Sequence, residues 1–370
     1  MEPITHFLAG ACIGRAGFNR KTACATLVAT LAAEAADLDM FSEFGGPVDV
    51  LKHHRGITHT FLGTPFVALA VVALVGGIYV WRRRRRPPPR PDDYIPASRR
   101  TPPLRWGWLC LTALVAAFSH ILLDWTNNYG VRPFFPFNPR WYAGSFMFIA
   151  EPVLWLVFLV ALVLPWIFSL TDREIGARRT PFRGRSWAIF ALAATLILGC
   201  WRWAEHAHAN AMFQNVQVTK EPVLRMAFEP YPINPWRWHA IIETPGYYQT
   251  AEINTHTGAI DSDPENDILY KPQDTPAVEA AKRTFLGQVY MDWGQWAVVR
   301  DVGRDPAPGV SPPNLLTQRT WTTVEFTDLR FAYSMRGGAP TSPPTSLSGW
   351  VYIVDNRDDA GESMAGREQK

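Results

Sequence analysis

Three histidines, His53, His54 and His59, crowd around Arg55 at the threshold of an apolar run from Phe61 to Trp81. Ionisable groups at a membrane edge are costly and usually functional. Farther along, His120 and Asp124 stand four residues apart, one above the other on a single helix face, a spacing able to grip one metal through nitrogen and oxygen. An intrahelical hydrogen bond is the plainer alternative for that pair. Upstream, Asp37-Leu38-Asp39 closes an Ala-rich stretch that also carries Glu34. Acids at a helix C-terminus oppose the dipole, and a bound cation supplies a reason for them. Imidazole and carboxylate suit Zn²⁺, while an oxygen-rich mixture accepts Mn²⁺ or Fe²⁺.

The chemistry these groups support is metal-assisted hydrolysis, in which the ion polarises the scissile group and brings water to a pKa of about 7. A carboxylate outside the ligand set, Asp37 or Glu151, is then the proton acceptor. Arg55 has a planar fork that pairs with a carboxylate or with a phosphate oxygen. Gly56 permits a sharp bend that lets His54, Thr58 and His59 converge. His53 is the weaker member of its pair, and His6 alone reads as an ordinary buried or surface histidine until the others are counted. The dipeptides Thr5-His6, Thr58-His59 and Ser119-His120 suggest hydroxyls that orient the rings.

The elements that must hold these residues are membrane helices. Phe61 to Trp81, Trp106 to Trp125, Met147 to Leu170 and Trp187 to Trp203 approach the roughly 20 apolar residues that a bilayer requires, the last being short. Tryptophans mark most of their ends. Ile4 to Gly14 and Thr22 to Ala36, rich in Ala, Gly and Thr, read as a helical hairpin whose small residues allow close backbone approach. Residues 1 to 203 carry 22 Lys/Arg against 12 Asp/Glu, whereas the remainder carries 14 against 21, which separates a membrane half from an aqueous half. The four cysteines, all in apolar stretches of the first half, form no metal or disulfide spacing and read as buried hydrophobes.

Nine arginines, beginning with Arg82 to Arg86, lie between the first and second spans, and Arg173, Arg178, Arg179, Arg183 and Arg185 between the third and fourth. Only Lys52, Arg55, Arg132 and Arg140 lie near span ends on the other side, so the arginine loops face the cytoplasm. This topology brings every candidate ligand to the outer face. Because the basic run abuts a span and leads into a Pro-rich linker, no nucleic-acid partner is expected. The N-terminus lacks a basic region and carries Glu2 and His6, so signal cleavage is not expected.

Thr5-His6-Phe7-Leu8-Ala9-Gly10, Asp37-Leu38-Asp39, His54-Arg55-Gly56-Ile57-Thr58-His59 and His120 with Asp124 resemble the motifs of the YdjM-like family of predicted inner-membrane metal-dependent hydrolases. The similarity covers about residues 1 to 200. More remotely, the order of ligand types is similar to the zinc-dependent phospholipase C and P1 nuclease group, helical enzymes that cleave phosphoesters with a zinc cluster. That resemblance implies His6, Asp39, His54 or His59, His120 and Asp124 as metal ligands, with an aspartate bridging two ions. The group's N-terminal tryptophan and later His-x-x-x-Glu pair have no match; Glu151, or His206 and His208, are the substitutes to consider. Membrane lipids are the expected partners, and the substrates implied are phosphoester or lipid-linked.

From Val223 onward the pattern changes to strands, at Val223 to Phe228, Trp236 to Glu243, Tyr247 to Ile253, Trp296 to Val302, Thr320 to Tyr333 and Gly349 to Val354. Pro276 to Trp293 reads as a helix. Loops at Asp305 to Pro313 and Gly337 to Pro344 are Pro-rich. His239 and His256 read as ordinary strand residues. The fold expected is an all-α multi-pass membrane domain over residues 1–203, about four transmembrane helices plus the hairpin. A smaller extracytoplasmic α+β, strand-rich domain over 204–360 and a disordered tail over 361–370 follow. The function expected is a metal-dependent hydrolase of the bacterial inner membrane. The alternative is a non-enzymatic membrane protein with a structural or sensing metal site; apolar span interiors count against transport.

Overall fold

The computed structural model describes residues 1–85, 102–174, 184–214, 218–263, 266–308, 320–333, 335–336, 339–340, 347–364 and 366–369. Half of the arginines used to orient the chain, and parts of both Pro-rich loops, lie outside those residues. The chain divides into two compact units, one of Met1–Leu38 with Arg55–Ala204, the other of Asp39–His54 with Glu205–Lys370.

In the first unit the small-residue stretches form the expected hairpin, α1 (Pro3–Ala16) and α2 (Ala25–Glu34). A Cβ added at Gly10 would lie 2.6 Å from the Ala29 carbonyl oxygen, and one at Gly14 2.5 Å from the Thr26 Cα. Two backbones this close tolerate only hydrogen at the crossing. Then come α4 (Thr64–Arg85), α5 (Trp106–Thr126), α6 (Pro152–Glu174) and α7 (Arg185–Gln214), the last running across the division between units. Three of these, α4, α5 and α7, are long and apolar enough to cross a membrane. α6 opens at Pro152, later than the start expected at Met147. The reason is Pro152, which lacks an N–H and opens the helix, so Glu151 precedes α6 instead of lying inside it.

The core of this unit is made of small side chains. Val28, Ala29, Ala32 and Ala33 of α2 pack with Ala68, Val72 and Val75 of α4 and with Leu109, Ala113, Ala116 and Ala117 of α5. On α5 the buried stripe continues in the same register to His120 and Asp124. The helix face that packs the core therefore delivers the two polar residues to the interior.

The second unit holds the strands. β1 (Arg225–Pro230), β2 (Arg237–Glu243), β3 (Tyr247–Asn254) and β4 (Ala259–Asp261) form an antiparallel sheet in that order, with β5 (Ile268–Tyr270) also paired to β3. A second sheet has the order β12-β11-β10-β7-β6, using β6 (Ala297–Asp301), β7 (Trp321–Asp328), β10 (Gly349–Val354), β11 (Asp358–Met364) and β12 (Arg367–Glu368); β8 (Met335–Arg336) and β9 (Ala339–Pro340) pair separately. Ile241, Leu269, Trp296, Val298 and Leu329 join the two main sheets in one core. His256 lies in the turn after β3 beside Trp236, not in a strand.

Two expectations are corrected here. The helix read as Pro276 to Trp293 is two, α8 (Pro276–Lys282) and α9 (Phe285–Trp293), because Thr284 caps a new N-terminus by accepting a hydrogen bond from the Gly287 N–H. The tail expected to be disordered from 361 completes β11 and forms β12. Its polar sequence is held by partners that no local pattern displays: Arg367 pairs with Glu43, and Gln369 bonds the Val48 N–H at 2.8 Å and the Gly45 carbonyl at 2.8 Å. Through these contacts the segment Asp39–His54, with its helix α3 (Pro47–His53), belongs to the strand-rich unit.

Candidate metal centre

His120 Nδ1 donates to the Ala33 carbonyl of α2 at 2.6 Å, which leaves a lone pair on Nε2. That nitrogen faces His59 Nε2 at 2.9 Å, Asp124 Oδ2 at 3.3 Å and Asp37 Oδ1 at 3.6 Å. His59 Nε2 in turn lies 3.3 Å from Asp37 Oδ1 and 3.6 Å from Asp124 Oδ2. One ligand atom from each of the four residues falls within 4.8 Å of the others. Ligands about 2.0–2.1 Å from a tetrahedral Zn²⁺ stand roughly 3.3 Å apart. The five separations, from 2.9 to 3.6 Å, bracket that edge.

Hydrogen bonding explains the cluster poorly. Asp124 Oδ2 is buried and accepts no hydrogen bond among the described residues, despite two imidazole nitrogens nearby. Two lone-pair nitrogens at 2.9 Å share at most one proton. A shared cation satisfies all four groups together, so the donor set fits a divalent metal.

The elements that hold the cluster are distinct in type. His59 sits in a 3₁₀ turn, Ile57–His59, tied down by Thr60 Oγ1 donating to Ile57 O at 2.8 Å and Thr64 Oγ1 donating to Thr58 O at 3.1 Å. Thr58 Oγ1 lies 3.1 Å from His59 Nδ1 and orients the ring. The other two hydroxyl-histidine pairs do no such work: Thr5 accepts from the Trp155 indole at 2.8 Å, and Ser119 donates to its own helix at Ala116 O, 2.7 Å. Asp37 lies in the 3₁₀ segment Ala35–Gly45 just beyond α2. The sharp bend falls on Arg55, at φ 57°, rather than on Gly56. A left-handed arginine costs on the order of 1 kcal/mol, so its contacts must hold it there.

Those contacts are with the second oxygen of Asp124. Arg55 Nη2 is 2.9 Å from Asp124 Oδ1, while Nη1 donates to Gly130 O at 2.8 Å and Asn127 Oδ1 at 3.2 Å; the guanidinium lies 4.6 Å over the Tyr129 ring. Arg55 is 1 % exposed. Of the two roles its chemistry allowed, the structure assigns it the carboxylate. His6 Nε2 approaches the same Asp124 Oδ1 at 3.2 Å and its ring stacks on His120 at 3.7 Å. The Met1 amino group also contacts Asp124 Oδ1.

The remaining sequence candidates are outside this four-residue group. Asp39 and His54 are in the second unit, where His54 Nδ1 is 2.9 Å from Asp39 Oδ1. His59, not His54, enters the four-residue group, and so does Asp37, which had been read as a base. Glu151 is buried ahead of α6 and is not one of the four. His53 is half exposed, 3.9 Å from Asp49. His206 packs against Trp238 and Phe228, and His208 lies near Glu205.

Glu34 was missed as a candidate. It ends α2 three residues before Asp37, and its Oε2 is buried without a hydrogen-bond partner among the described residues. Burial, then Asp37, pushes its carboxyl up to about 7. The signal available beforehand was its helical register with Asp37. Among the four ligands only Asp37 has any exposure, with 8 % of its side chain accessible. Asp37 is thus the candidate ligand that solvent reaches.

A family model described as YdjM inner membrane protein matches residues 1–209. A similar relative is the "Uncharacterized protein YfhP" of Bacillus subtilis (strain 168), 24% identical over 172 residues, which are 44% of this chain and 46% of that protein. The match thus spans less than half of either protein. No solved structure matches the chain.

Proposed function

The chain belongs to the YdjM inner membrane protein family, and from that membership and the ligand geometry we propose that it is a membrane-bound, metal-dependent hydrolase. The observation that carries this reading is the convergence of Asp37, His59, His120 and Asp124, from three separate parts of the first unit, to within 4.8 Å. Zn²⁺ is the ion that the nitrogen and oxygen donors and their spacing fit best. When bound, it would polarise the scissile bond and acidify water to a pKa of about 7. The Ala33 carbonyl holds the His120 imidazole in the tautomer that presents Nε2, and Thr58 orients the His59 ring. Arg55 holds the Asp124 carboxylate in orientation. Glu34 is a carboxylate outside the ligand set, and takes the proton from the attacking water.

Positive-inside counting of the sequence puts the arginine loops in the cytoplasm and the centre on the outer face of the inner membrane, with the strand-rich unit extracytoplasmic. Phosphoesters and lipid-linked intermediates are the substrates this position supports. The remote likeness to the phospholipase C and P1 nuclease group rests on motif order alone. A second reading, a structural or sensing metal, draws on the complete burial of the His59, His120 and Asp124 side chains, which suits a closed site.

The test is elemental mass spectrometry of the detergent-purified chain, wild type and His120→Ala/Asp124→Ala, followed by turnover of bis(p-nitrophenyl) phosphate. Stoichiometric metal lost in the double variant, with turnover by the loaded wild type, supports the hydrolase. Metal without turnover of phosphoester or lipid-linked probes favours the structural reading. No metal after reconstitution with Zn²⁺ or Mn²⁺ ends both.

A further inference from the structure

Immediately after α5 the chain makes a hairpin, closed by an antiparallel bridge in which the Val131 and Tyr142 N–H groups each donate to the other's carbonyl, at 2.9 and 2.8 Å. Its tip, Phe134-Phe135-Pro136-Phe137-Asn138-Pro139-Arg140, has an aromatic side and one basic end. Phe137 is 85 % exposed and Phe134 48 %. Arg132 does not contribute to the exposed charge, because it is wedged 4.5 Å over Trp141 and 5.1 Å over Phe135. Arg140 is exposed, leaning on Tyr142 at 5.4 Å.

This apolar tip is continuous with the exposed side of a membrane helix. Leu122 and Phe118 lie on the outward face of α5; Phe118 meets Phe61 at 6.2 Å, and Phe61 meets Phe134 at 5.4 Å. Phe61 also donates its N–H to Pro133 O at 2.9 Å. A row of rings therefore runs from the exposed side of α5 out along the hairpin. Aromatic rings beside a cation are the side-chain types that settle among headgroups.

We propose that the hairpin from Val131 to Tyr142 is a lipid-binding strap whose occupant is an anionic phospholipid of the surrounding leaflet. Phe134 and Phe137 enter the acyl region, and Arg140 meets the headgroup phosphate. The strap is coupled to the candidate centre, since Gly130 O and Asn127 Oδ1 at its base accept from Arg55, and Phe61 follows His59 by two residues. The inference rests on the hydrolase reading in one respect only: there, the bound phospholipid defines the substrate class.

The experiment uses the full chain in nanodiscs of phosphatidylglycerol and phosphatidylcholine. A nitroxide at Phe137→Cys, with the four native cysteines replaced, is expected to be relaxed by oxygen and shielded from a soluble nickel chelate. Free access of the chelate overturns insertion of the tip. Separately, native mass spectrometry of the chain with its own cysteines counts retained lipids. Arg140→Gln is expected to retain about fivefold less phosphatidylglycerol, with phosphatidylcholine unchanged. Unchanged phosphatidylglycerol retention overturns the headgroup contact. Neither readout involves metal or turnover, so a failure here is distinct from a failure of the hydrolase reading.

Discussion

Asp124→Asn is the substitution that probes the centre most directly, because one oxygen faces the two histidines and the other faces Arg55. The change keeps the shape and removes the charge. In the metal-free protein it leaves a guanidinium that is 1 % exposed without its carboxylate. Breaking a buried pair in this way costs about 3–5 kcal/mol. The lower end applies, since Asn127 and Gly130 still accept from Arg55 and the new amide oxygen replaces one hydrogen bond. Metal adds a second, separable term. At a free concentration about 100 times its dissociation constant, an ion stabilises the wild type by about 2.7 kcal/mol, and that gain vanishes in the variant. The assay is unfolding of the purified chain with and without Zn²⁺, paired with metal content. Arg55→Met is the control: it removes the same ion pair but no ligand, so metal affinity falls about 10–100-fold while stoichiometry at saturation persists. Equal metal-induced stabilisation of wild type and Asp124→Asn would refute the reasoning, because Asp124 would then be only the partner of Arg55.

Further outcomes follow from the same geometry. Glu34→Gln retains full metal content and lowers turnover of a phosphoester probe by about 10²-fold or more; unchanged turnover removes Glu34 from the chemistry. Gly10→Ala drives a methyl group into the Ala29 carbonyl and the Ala33 side chain, costing about 1–3 kcal/mol, and weakens metal binding by displacing the carbonyl that orients His120. Thr284→Ala removes the cap of α9 and costs about 1 kcal/mol, readable as faster hydrogen exchange in Phe285–Trp293. His239, buried in β2, is held down at about 4 by burial, against 6.5 unfolded. The unfolded state therefore binds the extra proton, and stability of the strand-rich unit is complete above pH 6.5 and falls by about 3 kcal/mol as pH drops to 4. Hydrogen-exchange protection of β2 against pH measures this slope, and His239→Gln should flatten it.

Local order was legible because it follows from periodicity and backbone bonding. The stripe on α5 that ends in His120 and Asp124, the small-residue hairpin α1–α2 and the apolar strands β2 and β3 are all written in consecutive residues. So was the presence of a His/Asp group able to hold a metal, since histidines and carboxylates at a membrane edge need partners there. Where local signals compete, the reading went astray: one helix for α8 and α9, a tail read as disordered, a bend assigned to Gly56. Only tertiary packing decided which ligands meet. His59 and His120 are 61 residues apart, and their Nε2 atoms come within 2.9 Å because α2, α4 and α5 close on alanine-sized side chains. The same packing brings Asp37 to His59 and His120 and consumes Arg55 in holding Asp124. Spacing along one helix states which residues share a face; which faces meet depends on the volumes between them, and no single stretch of sequence contains that information.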